Sequence, residues 1–285
     1  MENAKKIEIE NLRLWVQFKE KAEKEGKHGN IADVEKLIKG ASSLLDKIQN
    51  PFQSYTLHNH VHAENVVKLM GDLLGKEVEK ITTLEGAILI LSAYYHDIGM
   101  LYRDDQLKAI GNEDDFEIFK RENPKAIIKI HENNGTIPSE IAEWYCRSIH
   151  PNRVYIFLDE IEDSNIKWGV VTLKDTIGSV CQSHGYGVRE ILVDDNLRTD
   201  FMSGKADLKF CAILLRLADI LDFDNSRSPE EVYKFLKISE RKDESGEKSD
   251  TEWRKHLCSE GFKFPSERDS RYELGSLNLS QCVVT

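Results

Sequence analysis

The sequence predicts a mainly α-helical bundle with a small α/β appendage at its C-terminal end, and three observations carry that prediction. Apolar residues recur at three- and four-residue intervals in segment after segment. Almost no stretch before residue 236 alternates with a strand period. The composition then shifts to a charged run, Ser239 to Asp250, ahead of two short alternating stretches.

Residues 10–24 place Leu12, Trp15, Phe18 and Ala22 among Glu and Lys, an amphipathic surface helix. A second helix is expected over 32–48, after Asn30, and Asn50-Pro51 breaks the chain. Val61, Val66, Val67, Leu69, Met70, Leu73 and Leu74 mark a helix over 60–75 with Gly75 as its stop. Thr82 or Thr83 opens the next, over 82–96, with Glu85 in its first turn. Gly99 to Pro138 reads as a polar, irregular excursion holding one short helix over 114–121. Ser139 can cap a helix that runs to His150 and is ended by Pro151. Another begins near Thr172 and reaches His184-Gly185, and a strongly apolar one spans 206–222. Ser239 to Asp250 reads as a solvated linker, followed by a short helix around Trp253 to Cys258 and strands near 261–264 and 274–279. Three units follow: N-terminal helices over 1–50, a core over 51–238, and the linker with its appendage over 239–285. The apolar end, Cys282 to Thr285, suggests a sheet that another domain completes.

At 285 residues the chain can bury a large core, and 40% hydrophobic with 31% charged residues is ordinary for a globular protein. A net charge of −11 argues against sequence-specific binding to duplex DNA, so any phosphate-bearing ligand must be attracted locally. The five cysteines are scattered without a Cys-x-x-Cys pair and read as reduced thiols. No apolar leader opens the chain, and Gly86 to Tyr95 is far short of a membrane span, which points to a cytoplasmic protein with no membrane partner.

The chemistry lies in an ordered set of imidazoles and carboxylates: His62, His96-Asp97, His150, His184 and Asp219. Such donors suit one or two divalent ions, Mn, Fe, Zn or Ni, with Mg normally wanting more oxygen. One octahedral ion can take His62, His96, Asp97 and Asp219 and keep two open positions. His150 and His184 can hold a second, with Asp97 bridging. Such a pair polarises a phosphoryl oxygen and supplies a hydroxide for in-line attack, and it leaves a positive site on an acidic protein. Asp97 and Asp219 lie in apolar helices, where a carboxylate without a partner is costly. Taken alone, His150 reads as a hydrogen-bonded core residue. His58 precedes His62 by four residues and, on a helix, shares its face, so it can protonate a leaving oxygen, while His60 points elsewhere. Arg216 and Arg227 are candidate phosphate clamps, beside the equal alternative of ordinary salt bridges. Asp222 and Asp224 can hold those arginines. His131 and His256 read as exposed.

The order of these residues resembles the HD-domain superfamily of metal-dependent phosphohydrolases, with Tyr95-His96-Asp97-Ile98-Gly99 similar to its central motif. His58-Asn59-His60-Val61-His62 resembles the cyclic-nucleotide phosphodiesterase segment, which implies His58 as general acid and His62 as ligand. Arg216 to Asp222 is similar to the last motif and implies Asp219 as ligand. The resemblance covers roughly residues 50–230 and implies a nucleotide or oligonucleotide substrate. The whole pattern is also similar to HD domains fused ahead of GHKL-type ATPases in bacterial antiphage defence, which implies a C-terminal ATPase domain or a homo-oligomer as partner. Three other readings stand open: a single-strand nuclease, a di-iron oxygenase, and a non-catalytic nucleotide-sensing module.

Overall fold

The computed structural model describes residues 9–48, 56–223, 225–240, 244–259, 262–263 and 283–284. The fold is a helical bundle built around one buried helix, as the periodicity predicts. That helix, α4 (Thr83–Tyr95), buries every residue except Glu85. It is apolar all round, and a helix of that kind must lie at the centre of a bundle. Its covering layer is α1 (Arg13–Lys24), α2 (His28–Leu45), α3 (His60–Leu74), α9 (Lys174–Gln182) and α12 (Leu208–Leu221). α1 presses Leu14, Trp15, Phe18 and Ala22 inward. Gly86 on α4 permits this approach, since a Cβ there would stand 3.1 Å from Phe18 Cβ.

Glu85 sets the register of the two helices that matter most. Its carboxylate accepts from the backbone of Thr82 at 2.8 Å while Thr82 Oγ1 accepts from Glu85 N at 3.1 Å, a capping box that starts α4. Its other oxygen accepts from Asp207 N at 3.0 Å, and the Asp207 side chain caps α12 by accepting from Phe210 N at 2.9 Å. Thus α4 and α12 start from one point. Twelve or so residues later, at ~1.5 Å per residue, each has advanced ~18–20 Å. α4 thereby delivers His96-Asp97 to the place where α12 delivers Asp219.

Several local expectations are corrected. Pro151 does not end its helix: α8 runs from Ser139 to Asp159 with Pro151 inside it. The excursion before it is largely helical, with α5 (Asp104–Ala109), α6 (Asp114–Glu122) and α7 (Pro124–Glu132). Pro124, preset for a first helical turn, starts α7, and Phe116 and Phe119 anchor α6 in the core. His58 lies ahead of α3 rather than on it, because Asn59 is the cap, accepting from Val61 N and His62 N.

Beyond α9 come α10 (Val188–Val193), the single turn α11 (Phe201–Gly204), α12, and α13 (Glu230–Phe235). The expected solvated linker is in large part helix α14, Glu244–Leu257. Trp253 and His256 on it are buried, which reverses the expectation that His256 is exposed; its ring lies 4.6 Å from that of Phe223. His131 is exposed. Two antiparallel pairs of two-residue strands complete the described chain, Lys167–Trp168 with Val171–Thr172 and Phe262–Lys263 with Val283–Val284. The strand expected over 274–279 and Asp224 lie outside the described residues. Among the described residues no helix is long and apolar enough to cross a membrane.

Candidate metal centre

Six side chains converge, from α3, α8 and α12 and from the turns that follow α4 and α9. His62, His96 and Asp219 form one group and Asp97, His150 and His184 another, the ligand atoms of each lying within 4.8 Å of one another. Asp97 joins the groups with one oxygen apiece. Its Oδ2 lies 3.3 Å from both His62 Nε2 and His96 Nε2. Its Oδ1 lies 3.2 Å from His150 Nε2 and 3.8 Å from His184 Nε2. Asp219 Oδ1 stands 3.3 Å from His62 Nε2 and 3.7 Å from His96 Nε2.

The histidines are oriented by a shared local device. His96 Nδ1 donates to Ala93 O at 2.9 Å, His150 Nδ1 to Arg147 O at 2.6 Å, and His184 Nδ1 to Cys181 O, in each case the carbonyl three residues back. His96 and His184 sit at helix ends, where carbonyls lack helical donors. His150 sits mid-helix, but Pro151 has no N–H, so the Arg147 carbonyl is freed there too. His62 uses a carboxylate instead: its Nδ1 donates to Asp222 Oδ2 at 2.5 Å, and Asn65 Nδ2 holds Asp222 Oδ1 at 3.0 Å. Asp222 Oδ2 also lies 3.9 Å from Arg227 Nε, as the sequence suggests, but the partnership with His62 is one that sequence reasoning missed, although a carboxylate three residues after a ligand at a helix end is a usable signal.

With every Nδ1–H committed, four Nε2 lone pairs point inward. His62 Nε2 and His96 Nε2 are 3.1 Å apart, and His150 Nε2 and His184 Nε2 are 2.9 Å apart. Asp97 Oδ2 is buried and accepts no hydrogen bond. Lone pairs facing lone pairs at such distances repel unless a cation lies among them. Ligand atoms ~2.1 Å from a common ion stand about 3.0–3.4 Å apart in octahedral or tetrahedral arrangements. Most of the spacings lie close to that range, while His96 to Asp219 at 3.7 Å and His184 to Asp97 at 3.8 Å are wider. The residues therefore fit divalent metal.

Electrostatics agree with this. Burial and Arg227 push the His62 imidazolium down, yet the carboxylates of Asp219, Asp222 and Asp97 prevail and raise it to about 9. Burial opposes charge on His96 as well, but Asp97 and Asp219 raise it to about 10. Metal-free, these carboxylates thus draw protons onto rings that a cation would otherwise hold. Burial, helped by the charges of His150 and His96, depresses His184 to about 4. Burial opposes ionisation of Asp97 and Asp219, but the surrounding imidazoles hold both well below the usual carboxylate range.

Two glycines allow the elements to meet. A Cβ on Gly99 would stand 2.0 Å from His150 O, and one on Gly185 would stand 2.9 Å from Pro151 Cγ. Arg153, buried on α8, locks the turn after Asp97 by donating to Gly99 O at 2.6 Å and Leu101 O at 3.1 Å.

The centre opens on a cavity of about 920 Å³. His58 lines it, with Nδ1 donating to Thr56 O at 2.6 Å and Nε2 4.0 Å from Asp97 Oδ2. Burial and then the charge of Arg227 push its pKa well below the ordinary histidine value. His60 turns away to Asp46 at 2.6 Å. Arg227 lines the cavity, its Nε 3.3 Å from Leu57 O. Arg216 does not line it and donates to His184 O, so it positions that ligand's backbone. Arg147, Lys125 and Lys129 line the cavity, as do Trp144, Trp253 and His256. None of these six was singled out as a site residue from the sequence: Lys125 and Lys129 lie on a helix that was not foreseen, and nothing local marks Trp144, Arg147, Trp253 or His256 as facing a cavity.

No curated protein and no solved structure matches the chain. The model of one protein family, described as HD-CE, matches residues 52–274, well over half of the chain and past α14. With a His/Asp cluster able to hold metal at the heart of a helical bundle, the chain belongs to the HD-CE family.

Proposed function

We propose that the protein is a metal-dependent phosphohydrolase that cleaves a phosphate ester or anhydride of a nucleotide. The observation that carries this reading is Asp97, whose two oxygens face two separate histidine pairs, one of them buried and accepting no hydrogen bond. His62, His96 and Asp219 would hold one ion, His150 and His184 the other, and Asp97 both. When bound, such a pair supplies Lewis acidity toward a phosphoryl oxygen and acidifies water.

The remaining work falls to the chain's own side chains. Arg227 and Arg147 offer guanidinium charge to a phosphate in the cavity. His58, its Nδ1 fixed by Thr56 O, turns Nε2 toward the cavity. Its depressed pKa leaves Nε2 bare in the free protein, so it can hand a proton to the leaving oxygen once the negative charge of a bound phosphate has brought one onto the ring. Asp222 keeps the His62 ring in the tautomer that presents a bare Nε2. A cavity of about 920 Å³ is the size of a small-ligand site, which favours a nucleotide over an extended strand. The narrower likeness, to units working ahead of a GHKL-type ATPase in antiphage defence, enters as part of this proposal. Phage resistance lost on Asp97→Ala would support it.

The test is metal content by mass spectrometry on wild type beside Asp97→Ala, with phosphate release then followed across nucleotides after Mn or Fe loading. The expected result is close to two equivalents of metal and turnover, both lost in the variant. Wild-type protein that stays metal-free after loading would overturn the reading. Metal with oxygen consumption would replace it by an oxygenase, and metal with unchanged nucleotide by a sensing role.

A further inference from the structure

The α8 wall of the cavity carries chemistry that phosphate hydrolysis alone does not require. Glu140, Trp144, Arg147 and His150 follow one another at intervals of four, three and three along α8, and all line the cavity with Ile141. At a rise of ~1.5 Å per residue, Arg147 lies ~4.5 Å along the axis from His150 and Trp144 ~9 Å from it. The face therefore runs from a metal-ligand imidazole to a guanidinium to an indole. Trp144 is 37% exposed, high for so large an apolar side chain, yet its ring is fixed against Phe119 at 5.2 Å and 86°. Beyond it, Glu140 and Lys129 pair at 2.6 Å and also face the cavity.

A nucleotide presents matching groups in that order: phosphate, then sugar, then a flat base with donors and acceptors at its edge. Inorganic phosphate would use the guanidinium alone. A sugar phosphate would leave the indole bare. We propose that Trp144 is the base platform of a mononucleotide site, with Arg147 binding the phosphate next to His150 and the Glu140–Lys129 pair facing the edge of the base. The orientation of the ligand, phosphate toward Asp97, rests on the phosphohydrolase reading; the platform itself does not.

The experiment is calorimetric titration of the metal-loaded protein with hydrolysis-resistant 5′-phosphonate analogues of adenosine and cytidine, against the same analogue of ribose. Stacking of a base on an aromatic ring predicts that both nucleoside analogues bind about tenfold or more tightly than the ribose analogue. Trp144→Ala should erase that ratio and leave the ribose analogue within about twofold of wild type, while Trp144→Phe should keep part of it. Arg147→Ala should weaken all three alike. Equal binding of the three analogues to wild type, a ratio that survives Trp144→Ala, or no binding of any analogue would overturn the platform. An intact base-dependent ratio without turnover of any phosphate ester would instead sink the hydrolase reading and leave the platform standing.

Discussion

At the residue scale, Gly99 shows how a single missing side chain makes the centre possible. His150 O occupies the space where its Cβ would be, 2.0 Å away, and backbone on α8 cannot yield as a flexible side chain can. Gly99→Ala should cost about 1–3 kcal/mol in denaturant unfolding. It should also lower metal content from two equivalents toward one, because it pushes His150 and His184 from Asp97 while sparing His62 and His96. Unchanged stoichiometry would show that α8 can shift without opening the second group. His58 invites a kinetic test of its role. If it delivers the leaving-group proton, His58→Ala should lose roughly 10²–10⁴-fold on alkyl esters and little on a p-nitrophenyl ester, whose leaving group needs no proton. Equal losses on both would remove that role. His58, His62, His96, Asp97 and Asp219 could be picked out from the sequence because ligand-type residues at the ends of apolar helices are conspicuous. Arg147 and Trp144 could not, since nothing local distinguishes a cavity-lining arginine or tryptophan from one on a helix surface.

At the element scale, the bundle uses helix ends to aim ligands and a shared carboxylate to align helices. α4 and α12 are joined at their starts through Glu85, which serves Thr82 N and Asp207 N at once. Glu85→Ala removes both acceptors and should cost about 1–2 kcal/mol of stability. The same change should weaken metal retention some 20 Å away, at the other end of ~13 residues of helix. Metal affinity unaffected by a destabilised variant would show that packing alone sets the register. α8 illustrates why sequence misjudged an element. Pro151 is a sound stop signal locally, but here the lost hydrogen bond is replaced by His150 Nδ1 on Arg147 O. The carbonyl stays satisfied, so the helix continues. The first half of α14 was hidden for a different reason: its charged surface reads as solvated, and only the neighbours of Trp253 and His256, on the half that the sequence does predict as helix, make that pair a buried face.

At the scale of the whole molecule, metal and fold are linked. In the metal-free protein His62, raised to about 9, and His96, raised to about 10, bind protons that the unfolded chain releases above its ordinary value near 6.5. That contribution is complete below about 6.5 and is lost as pH rises through 9 and 10, so metal-free stability should fall over that window. His184, depressed to about 4, has the opposite sense and weakens the fold as pH drops below about 6.5. A cation on the same lone pairs should flatten the alkaline slope and, at a hundredfold excess over Kd, add about 2.7 kcal/mol per site. Chemical denaturation at neutral and alkaline pH, with and without chelator, checks both; identical curves would mean no ion binds there. By itself the sequence determined a helical bundle and the set of imidazoles and carboxylates at its centre, because periodicity and ligand chemistry are written locally. Only the tertiary structure decided which oxygen of Asp97 faces which histidine pair, that Asp222 serves His62 while Arg216 serves a backbone carbonyl, and that α8 and α14 wall the cavity. Those facts depend on which atoms meet across tens or hundreds of residues, and that is set by packing.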